Sequence, residues 1–196
     1  MTAVLVSGGG TNLQALIDQK AAGKLPHVRL GLVVSSNPEA YALRRAEKAG
    51  IETLVVSRKG SSQEAFEDAL LEALKSRGVR MVILAGFMSI LSERVIRKYP
   101  QAILNVHPSL IPAFCGKGFY GLKVHEAALK RGVKVTGCTV HLVNEVPDGG
   151  PILAQKAIDV LASDTPETLQ KRVMTECEWK LLPACAEAWA EKMAEA

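Results

Sequence analysis

The chain has 196 residues and a formal net charge of +4, and 48% of its residues are hydrophobic, 22% charged and 5% aromatic. A chain of this length and apolar content can bury a substantial core, which excludes a disordered protein and predicts one domain over residues 1–196. The modest, unclustered charge and the few aromatic side chains favour small anionic ligands over nucleic acid.

Apolar runs and helical patterns alternate through the first half of the chain. They predict strands at residues 3–6, 28–35, 53–56, 79–85 and 102–106, and helices at residues 12–22, 39–50, 62–77 and 92–98. Alternating β and α units with fully apolar strands imply a parallel sheet covered by helices on both faces.

The rhythm changes after residue 107. Residues 134–143 and 152–160 predict two more strands joined by a loop at residues 144–150, and residues 165–193 predict a long helical region. We therefore expect an α/β fold: one doubly wound, mostly parallel sheet with an antiparallel C-terminal strand pair and a closing helix.

Nothing in the sequence indicates export or a membrane span. The first residues lack the basic lead of a signal peptide, and no apolar run approaches the ~20 residues that cross a bilayer. The four cysteines form no Cys-x-x-Cys pair, which favours reduced thiols. We expect a cytoplasmic protein with no membrane partner.

The most informative residues are Asn105 and His107, at the end of the fifth predicted strand. Residues two apart on a strand point to the same side, so an amide and an imidazole can face one substrate together. Asp148, in the Asp-Gly-Gly-Pro turn, could orient that imidazole and hold its charge. These groups suit the stabilisation of an oxyanion and the movement of a proton.

A glycine-rich loop, Ser-Gly-Gly-Gly-Thr-Asn from Ser7, follows the first strand and opens the first helix. It is not a dinucleotide fingerprint, because Leu13 stands where a third Gly is needed, and it lacks the Lys of a Walker loop. The phosphate of a mononucleotide or sugar phosphate fits this loop best. The alternative is a plain turn in which Thr11 or Asn12 caps the helix.

Ligands of such sheets bind beyond the carboxyl ends of the strands. Gly10, the segment after the fourth strand and Asn105 should therefore share one rim. The segment at residues 86–91 can offer backbone hydrogen bonds to a flat polar ligand, with apolar walls formed by Met88, Ile90 and Leu91. Alternatively, it only leads into the next helix.

The other histidines have less specific interpretations. We expect His27 on the surface, His125 on a helix as a surface or packing residue, and His141 as a core histidine. A metal site built from His107, His141 and Asp148 is conceivable, but the spacing matches no compact ligand motif. We therefore expect no metal.

No covalent nucleophile stands out. There is no Gly-x-Ser-x-Gly elbow, Ser109 lies between two prolines, and Cys115 has no histidine at a partnering offset. The residues therefore favour direct transfer between two bound substrates.

The sequence resembles the phosphoribosylglycinamide formyltransferases, folate-dependent enzymes of purine biosynthesis, nearly from end to end. The Asn/His/Asp set is shared by other formyl-folate enzymes, whereas the glycine-rich loop and the length of the chain point to this family. The matching motifs begin at Ser7 (SGGGTNLQAL), Ser36 (SNP), Leu84 (LAGFM), Asn105 (NVHPSLIP), Thr139 (TVHLV) and Asp148 (DGGPI).

The resemblance implies a Rossmann-like formyltransferase fold and a direct reaction. The amine of glycinamide ribonucleotide would attack the formyl carbon of 10-formyltetrahydrofolate, the co-substrate, giving formylglycinamide ribonucleotide and tetrahydrofolate. Asn105 and His107 would stabilise the tetrahedral intermediate and shuttle its proton, and Asp148 would favour the charged imidazole and order water. The enzyme would be a monomer or homodimer.

The resemblance also implies two binding sets. The ribonucleotide would contact Gly10, Thr11, Asn12 and Glu178. The folate would contact Met88, Ser89, Ile90, Leu91, Asn144, Glu145 and Asp148. The sequence departs from the family at Gln63 and Ser89, where relatives carry Arg near the folate, at Trp179, where His is common, and in a longer loop at residues 115–120.

Three other functions remain open at this point. A deformylase would use water as the acceptor and usually carries an extra N-terminal domain. A formyltransferase acting on initiator methionyl-tRNA carries an extra C-terminal domain, and we expect this chain to have room for neither. A non-catalytic sugar-phosphate binder would not need Asn105, His107 and Asp148 intact.

Overall fold

The computed structural model describes residues 1–195, which form seven strands, seven α-helices and one π-helix. The strands are β1 Thr2–Val6, β2 Leu30–Ser35, β3 Glu52–Val55, β4 Met81–Leu84, β5 Ile103–His107, β6 Val135–Leu142 and β7 Ile152–Asp159. The α-helices are α1 Thr11–Ala21, α2 Tyr41–Lys48, α3 Gln63–Ser76, α4 Glu93–Ile96, α5 Leu122–Arg131, α6 Pro166–Arg172 and α7 Trp179–Glu195, and the π-helix is Val173–Glu178.

All seven strands belong to one sheet in the order β3-β2-β1-β4-β5-β6-β7. Strands β1 to β5 run parallel, whereas β6 pairs antiparallel with β5 and β7 pairs antiparallel with β6. The predicted fold class is confirmed, including the antiparallel strand pair and the helical C-terminal region. The strand order places β1, β4 and β5 side by side, so their carboxyl ends meet at one rim.

The core has two halves, one on each face of the sheet. Along β1, Ala3 and Leu5 pack into one apolar cluster and Val4 and Val6 into the other. This alternation follows from the two-residue repeat of a strand, and strands buried on both faces must be apolar at every position. The unbroken apolar runs of the sequence are therefore the signature of this central sheet.

Strand β2 begins two residues later than predicted. The backbone N–H groups of His27 and Val28 donate to the Glu187 carboxylate of α7, at 3.0 and 3.3 Å. These two N–H groups are therefore bound to a side chain and take no part in the hydrogen bonds between strands. Val28 is nevertheless fully buried, so its apolar character led to the longer prediction.

The predicted C-terminal helical region is divided into three segments. Helix α6 starts at a capping box in which Thr165 and Thr168 cap each other, and the π-helix Val173–Glu178 then leads into α7. Pro183 lies within α7 and cannot donate a backbone hydrogen bond to the preceding turn. π-Helical turns often lie at functional sites, and this π-helix ends at Glu178.

No helix of residues 1–195 is long and apolar enough to cross a membrane.

Replacing Leu70 by Ala tests the packing of α3 on the sheet. Leu70 is fully buried in one half of the core, so we expect the free energy of unfolding to fall by about 3 kcal/mol in urea denaturation. Leu161, which is 48% exposed, is the matched control, and its replacement by Ala should change stability by less than about 0.5 kcal/mol. Equal losses in the two variants would contradict this packing.

Candidate active site

Asn105 and His107 lie at the end of β5, as the two-residue spacing predicted, and both line the same cavity. His107 is 4% exposed, and Asn105 is partly exposed. Across the antiparallel ladder, Asn105 pairs with His141 and His107 pairs with Thr139. The side chains of each cross-strand pair lie on one face of the sheet, so β6 brings a second histidine to the site.

Asp148 reaches the site on the loop between β6 and β7. Its backbone is in the left-handed region, with φ of 56°, which Asp tolerates better than most residues. Gly150 follows because the chain passes directly over β6, and a Cβ at this position would lie 1.8 Å from the carbonyl oxygen of Leu142. This tight return places the carboxylate beside β5.

The Asp148 carboxylate lies at the centre of the cluster. Its Oδ2 is 3.5 Å from His107 Nδ1 and accepts a hydrogen bond from the Gly116 N–H at 2.8 Å. Its Oδ1 accepts from Asn105 Nδ2 at 3.4 Å and lies 3.6 Å from His141 Nε2. The three predicted catalytic residues therefore meet, together with His141.

Both ring nitrogens of His107 face oxygen atoms. Nε2 donates to the Phe114 carbonyl at 2.8 Å, because a carbonyl can only accept, and Nδ1 faces Asp148. Two acceptors around one ring suit an imidazolium, the form that can give a proton.

Asp148 is held in its charged form. Burial acts to raise its pKa, but the contacts of His141, His107 and the Gly116 N–H outweigh burial, so the pKa lies below its ordinary value of 3.8. At neutral pH the site therefore contains a fixed negative charge between two imidazoles.

Two cavities meet at Asn105 and Asp148, which line both. The larger, of about 640 Å³, also includes His107 and the loop from Gly116 to Gly121. The smaller, of about 140 Å³, lies between the segment after β4 and the β6–β7 loop. It is lined by all the predicted folate residues except Met88: Ser89, Ile90, Leu91, Asn144, Glu145 and Asp148.

Met88 lines the larger cavity instead. Met88 and Ile90 are 57% and 69% exposed, so they form an open apolar rim, whereas Leu91 is buried. The Ile90 carbonyl accepts a hydrogen bond from Gln63 at 3.0 Å, which ties this rim to α3. Gln63, one of the two positions at which this chain departs from the family's Arg, therefore makes a structural contact with the rim.

The glycine-rich loop begins beside this cleft. Ser7 Oγ accepts from the backbone N–H of Met88 at 2.9 Å, which joins the loop to the cleft rim. Gly10 is the cap residue of α1, with φ of 71°, and a Cβ there would lie 2.5 Å from Ala42 Cβ. Neither Thr11 nor Asn12 caps α1, since both lie inside the helix.

Asn12 and Glu178 form a buried pair below this loop. Asn12 Nδ2 donates to Glu178 Oε2 at 2.6 Å, and Glu178 is 6% exposed. Burial raises the pKa of Glu178 above its ordinary value of 4.5, and the hydrogen bond from Asn12 opposes that rise. Within the described residues, the buried Asn12 Oδ1 has no hydrogen-bond partner, which leaves an acceptor for a ligand's donor.

The predicted ribonucleotide residues and the catalytic residues are therefore neighbouring but separate groups. In the described part of the chain, Gly10, Thr11, Asn12 and Glu178 line neither of the two cavities at Asn105. The hydrogen bond between Ser7 and Met88 connects the groups along the rim.

The other three histidines differ in burial and in their contacts. His27 lies at the surface, as expected, and contacts Glu187 at 2.6 Å. His125 lies on α5 with its side chain buried in the protein, where burial and the nearby His107 lower its pKa to about 4. His141 is buried as predicted, but its contact with Asn105 was missed because a single sequence does not reveal which residues face each other across β5 and β6.

His107, His141 and Asp148 do come together, as a metal site would require. Among residues 1–195, however, no group of three or more His, Cys, Asp or Glu side chains is arranged to hold a metal ion. The cluster is instead connected by hydrogen bonds and charge.

The formyl transferase family model matches residues 1–185. This chain belongs to the formyl transferase family. Among family members, it is 37% identical to phosphoribosylglycinamide formyltransferase of Haemophilus influenzae, over 92% of this chain and 82% of that protein. It is 40% identical to the chloroplastic phosphoribosylglycinamide formyltransferase of Arabidopsis thaliana, over 89% of this chain. The match spans 60% of the Arabidopsis protein's length.

The fold of this formyl transferase is also that of solved members. The crystal structure of glycinamide ribonucleotide transformylase 1 from Symbiobacterium toebii superimposes with a TM-score of 0.90 and 42% identity. The superposition covers 97% of this chain and 87% of the other.

The two buried carboxylates should respond to pH in opposite directions. The depressed pKa of Asp148 contributes stability at neutral pH that is lost as the pH falls, so the stability difference between wild type and Asp148→Asn should shrink below pH 3.8. The raised pKa of Glu178 favours the folded state when that group is protonated. Glu178→Gln should therefore gain stability relative to wild type as the pH rises above 4.5.

The measurement is urea denaturation of the three proteins across the acid range. Parallel stability–pH curves for wild type and either variant would contradict the assigned direction for that residue.

Proposed function

We propose that this formyl transferase moves the formyl group of 10-formyltetrahydrofolate to the amine of glycinamide ribonucleotide, a step of purine biosynthesis. The observation that carries the proposal is the cluster of Asn105, His107 and Asp148 at the junction of two cavities. Two substrates can meet at such a junction. The names of the relatives support this choice of donor and acceptor.

The proposed reaction uses the cluster in two ways. The amine attacks the formyl carbon, and negative charge develops on the formyl oxygen, to which the Asn105 amide donates a hydrogen bond. The His107 Nδ1–H, whose contact with Asp148 is long at 3.5 Å, is the group that can donate a second one. A well-placed donor in such a site is worth roughly 3 kcal/mol of barrier. His107 gives a proton to the folate nitrogen as its bond to the formyl carbon breaks, and it takes one back from the attacking nitrogen, while Asp148 orients the imidazole and favours its charged form.

The smaller cavity suits the flat ring of the folate. Its walls combine apolar side chains with the backbone of the β6–β7 loop, which Asn144 shapes by accepting from the Val146 N–H at 3.1 Å. Backbone groups and a narrow apolar slot select a planar polar heterocycle. The exposed Met88 and Ile90 would cover the next part of the donor.

The glycine-rich loop suits the phosphate of the ribonucleotide. It opens α1, whose first backbone N–H groups attract an anion, and Arg45 donates to the Gly9 carbonyl at 2.8 Å, which brings a positive charge to the loop. The unpartnered Asn12 Oδ1 and the Glu178 carboxylate are acceptors for hydroxyl groups of the ribose. The ribonucleotide would thus extend from α1 along the rim to Asn105.

The metal requirement, the cellular location and the oligomeric state are proposals as well. We propose that the enzyme needs no metal, works in the cytoplasm and acts as a monomer or homodimer. The chain spans 60% of the chloroplastic relative's length, so the activity of that whole protein is carried over here as a proposal.

The deciding assay measures tetrahydrofolate release by the purified protein. With 10-formyltetrahydrofolate alone we expect no release, and addition of glycinamide ribonucleotide should start it. Release without the ribonucleotide would identify a deformylase that uses water, and no release with either mixture would contradict the proposal.

Asp148→Asn tests the proposed chemistry separately from binding. The variant keeps the size of the side chain but loses the charge that orients His107, so kcat should fall steeply, by about 10³-fold or more. The affinity for glycinamide ribonucleotide, measured calorimetrically, should stay close to wild type because Gly10, Asn12 and Glu178 are untouched. Unchanged turnover would remove Asp148 from the mechanism.

A further inference from the structure

His141 is buried at the centre of the active site without a role in the reaction proposed above. It is 2% exposed and lies directly opposite Asn105 in the β5–β6 ladder. Its Nδ1 is 2.9 Å from the carbonyl oxygen of Leu142, and its Nε2 is 3.1 Å from Asn105 Nδ2. Both ring nitrogens are thus engaged by protein atoms.

These partners determine which nitrogen of His141 carries the proton. A carbonyl oxygen can only accept, so Nδ1 must be the donor to Leu142. The amide nitrogen of Asn105 can only donate, so Nε2 must be the acceptor. His141 is therefore a neutral imidazole with its proton on Nδ1, in contrast to His107, whose two nitrogens face oxygen atoms.

We propose that His141 is a positioning residue that holds the Asn105 amide with its free N–H directed at the formyl oxygen of the substrate. This inference rests on the proposed formyl transfer. One N–H of Asn105 donates to His141 Nε2, which fixes the plane of the amide and stops it from rotating. The nitrogen, rather than the carbonyl oxygen, then faces Asp148 and the cavity junction.

The second N–H of Asn105 is the one available to the substrate. Its bond to Asp148 Oδ1 is long, at 3.4 Å, and so is easily exchanged for a stronger acceptor such as a developing oxyanion. Without His141, the amide could rotate by half a turn and present its carbonyl oxygen to that negative charge. A donor would then become a repulsive group at the reacting atom.

The position of Asp148 agrees with this role. Its Oδ1 lies 3.6 Å from His141 Nε2, which is beyond hydrogen-bonding distance, so this nitrogen is left to the Asn105 amide. His107 Nδ1 faces the other oxygen of the same carboxylate. The two histidines thus have different roles: His107 transfers the proton, and His141 orients the Asn105 amide.

Two substitutions of His141 test the proposal. His141→Phe keeps the ring but removes the acceptor, and we expect kcat to fall by about 100-fold, as expected when a catalytic group is displaced by about 1 Å. The KM for glycinamide ribonucleotide should stay near wild type. His141→Gln places an amide oxygen near the position of Nε2 and should restore most of kcat.

Thr136→Val is the matched control. Thr136 is a buried polar residue on the other face of β6, at 3% exposure, and its replacement should leave kcat unchanged. Thermal unfolding of all the variants separates loss of fold from loss of orientation. If His141→Phe does not fold, the comparison of His141→Gln with wild type still decides, because a kcat as low as that of Asn105→Ala would overturn the proposal.

A double-mutant cycle with Asn105→Ala shows whether His141 acts through Asn105. In that background His141→Phe should have little further effect on kcat, because there is no amide left to orient. An equal, multiplicative loss in both backgrounds would overturn the inference. If the wild-type protein shows no ribonucleotide-dependent turnover, the proposed function fails instead, so the two failures are distinguishable.

Discussion

The antiparallel pairing of β5 with β6 is the constraint on which the active site depends. Strands β1 to β5 follow the parallel βα rhythm and bring the glycine-rich loop, the segment after β4 and Asn105 to one rim. The reversal at β6 then places His141 opposite Asn105 and Thr139 opposite His107. Thr139 donates to the Ser109 carbonyl at 2.7 Å and accepts from the Ile111 N–H at 3.0 Å, so the same strand also holds the segment that follows His107.

Two buried carboxylates illustrate how the surroundings decide the chemistry of one functional group. Asp148 has two histidines and a backbone N–H around it, so its charge is compensated and its pKa is lowered. Glu178 is buried beside a single neutral amide, and its pKa is raised. The first arrangement suits a permanent charge that orients an imidazole. The second suits an acceptor that gains further partners when a ligand arrives.

Much of the fold could be predicted because it depends on local patterns. Unbroken apolar runs indicated strands buried on both faces, and the alternation of strands and helices indicated the parallel sheet. One error lies where a distant residue intervenes, because Glu187 engages the N–H groups just before β2. The other is the π-helix before α7, which interrupts the predicted C-terminal helix.

The candidate site could be predicted to the extent that its residues are close in sequence. The spacing of Asn105 and His107 on a strand was sufficient to place them on one face. Asp148 was a weaker prediction, because its position depends on a tight return of the β6–β7 loop that brings Gly150 against Leu142. Glu178 was inferred from family resemblance alone, since it is 166 residues from its partner Asn12.

The sequence by itself determined the fold class, the pair at the end of β5 and the family, since these depend on periodicity, short spacings and contiguous motifs. The tertiary structure decided that Asp148 is shared between His107 and His141, and that His141 faces Asn105. It also decided that the folate and ribonucleotide groups are adjacent but separate. These facts depend on strand register and loop return, which arise from the packing of the whole chain and leave no local pattern in the sequence.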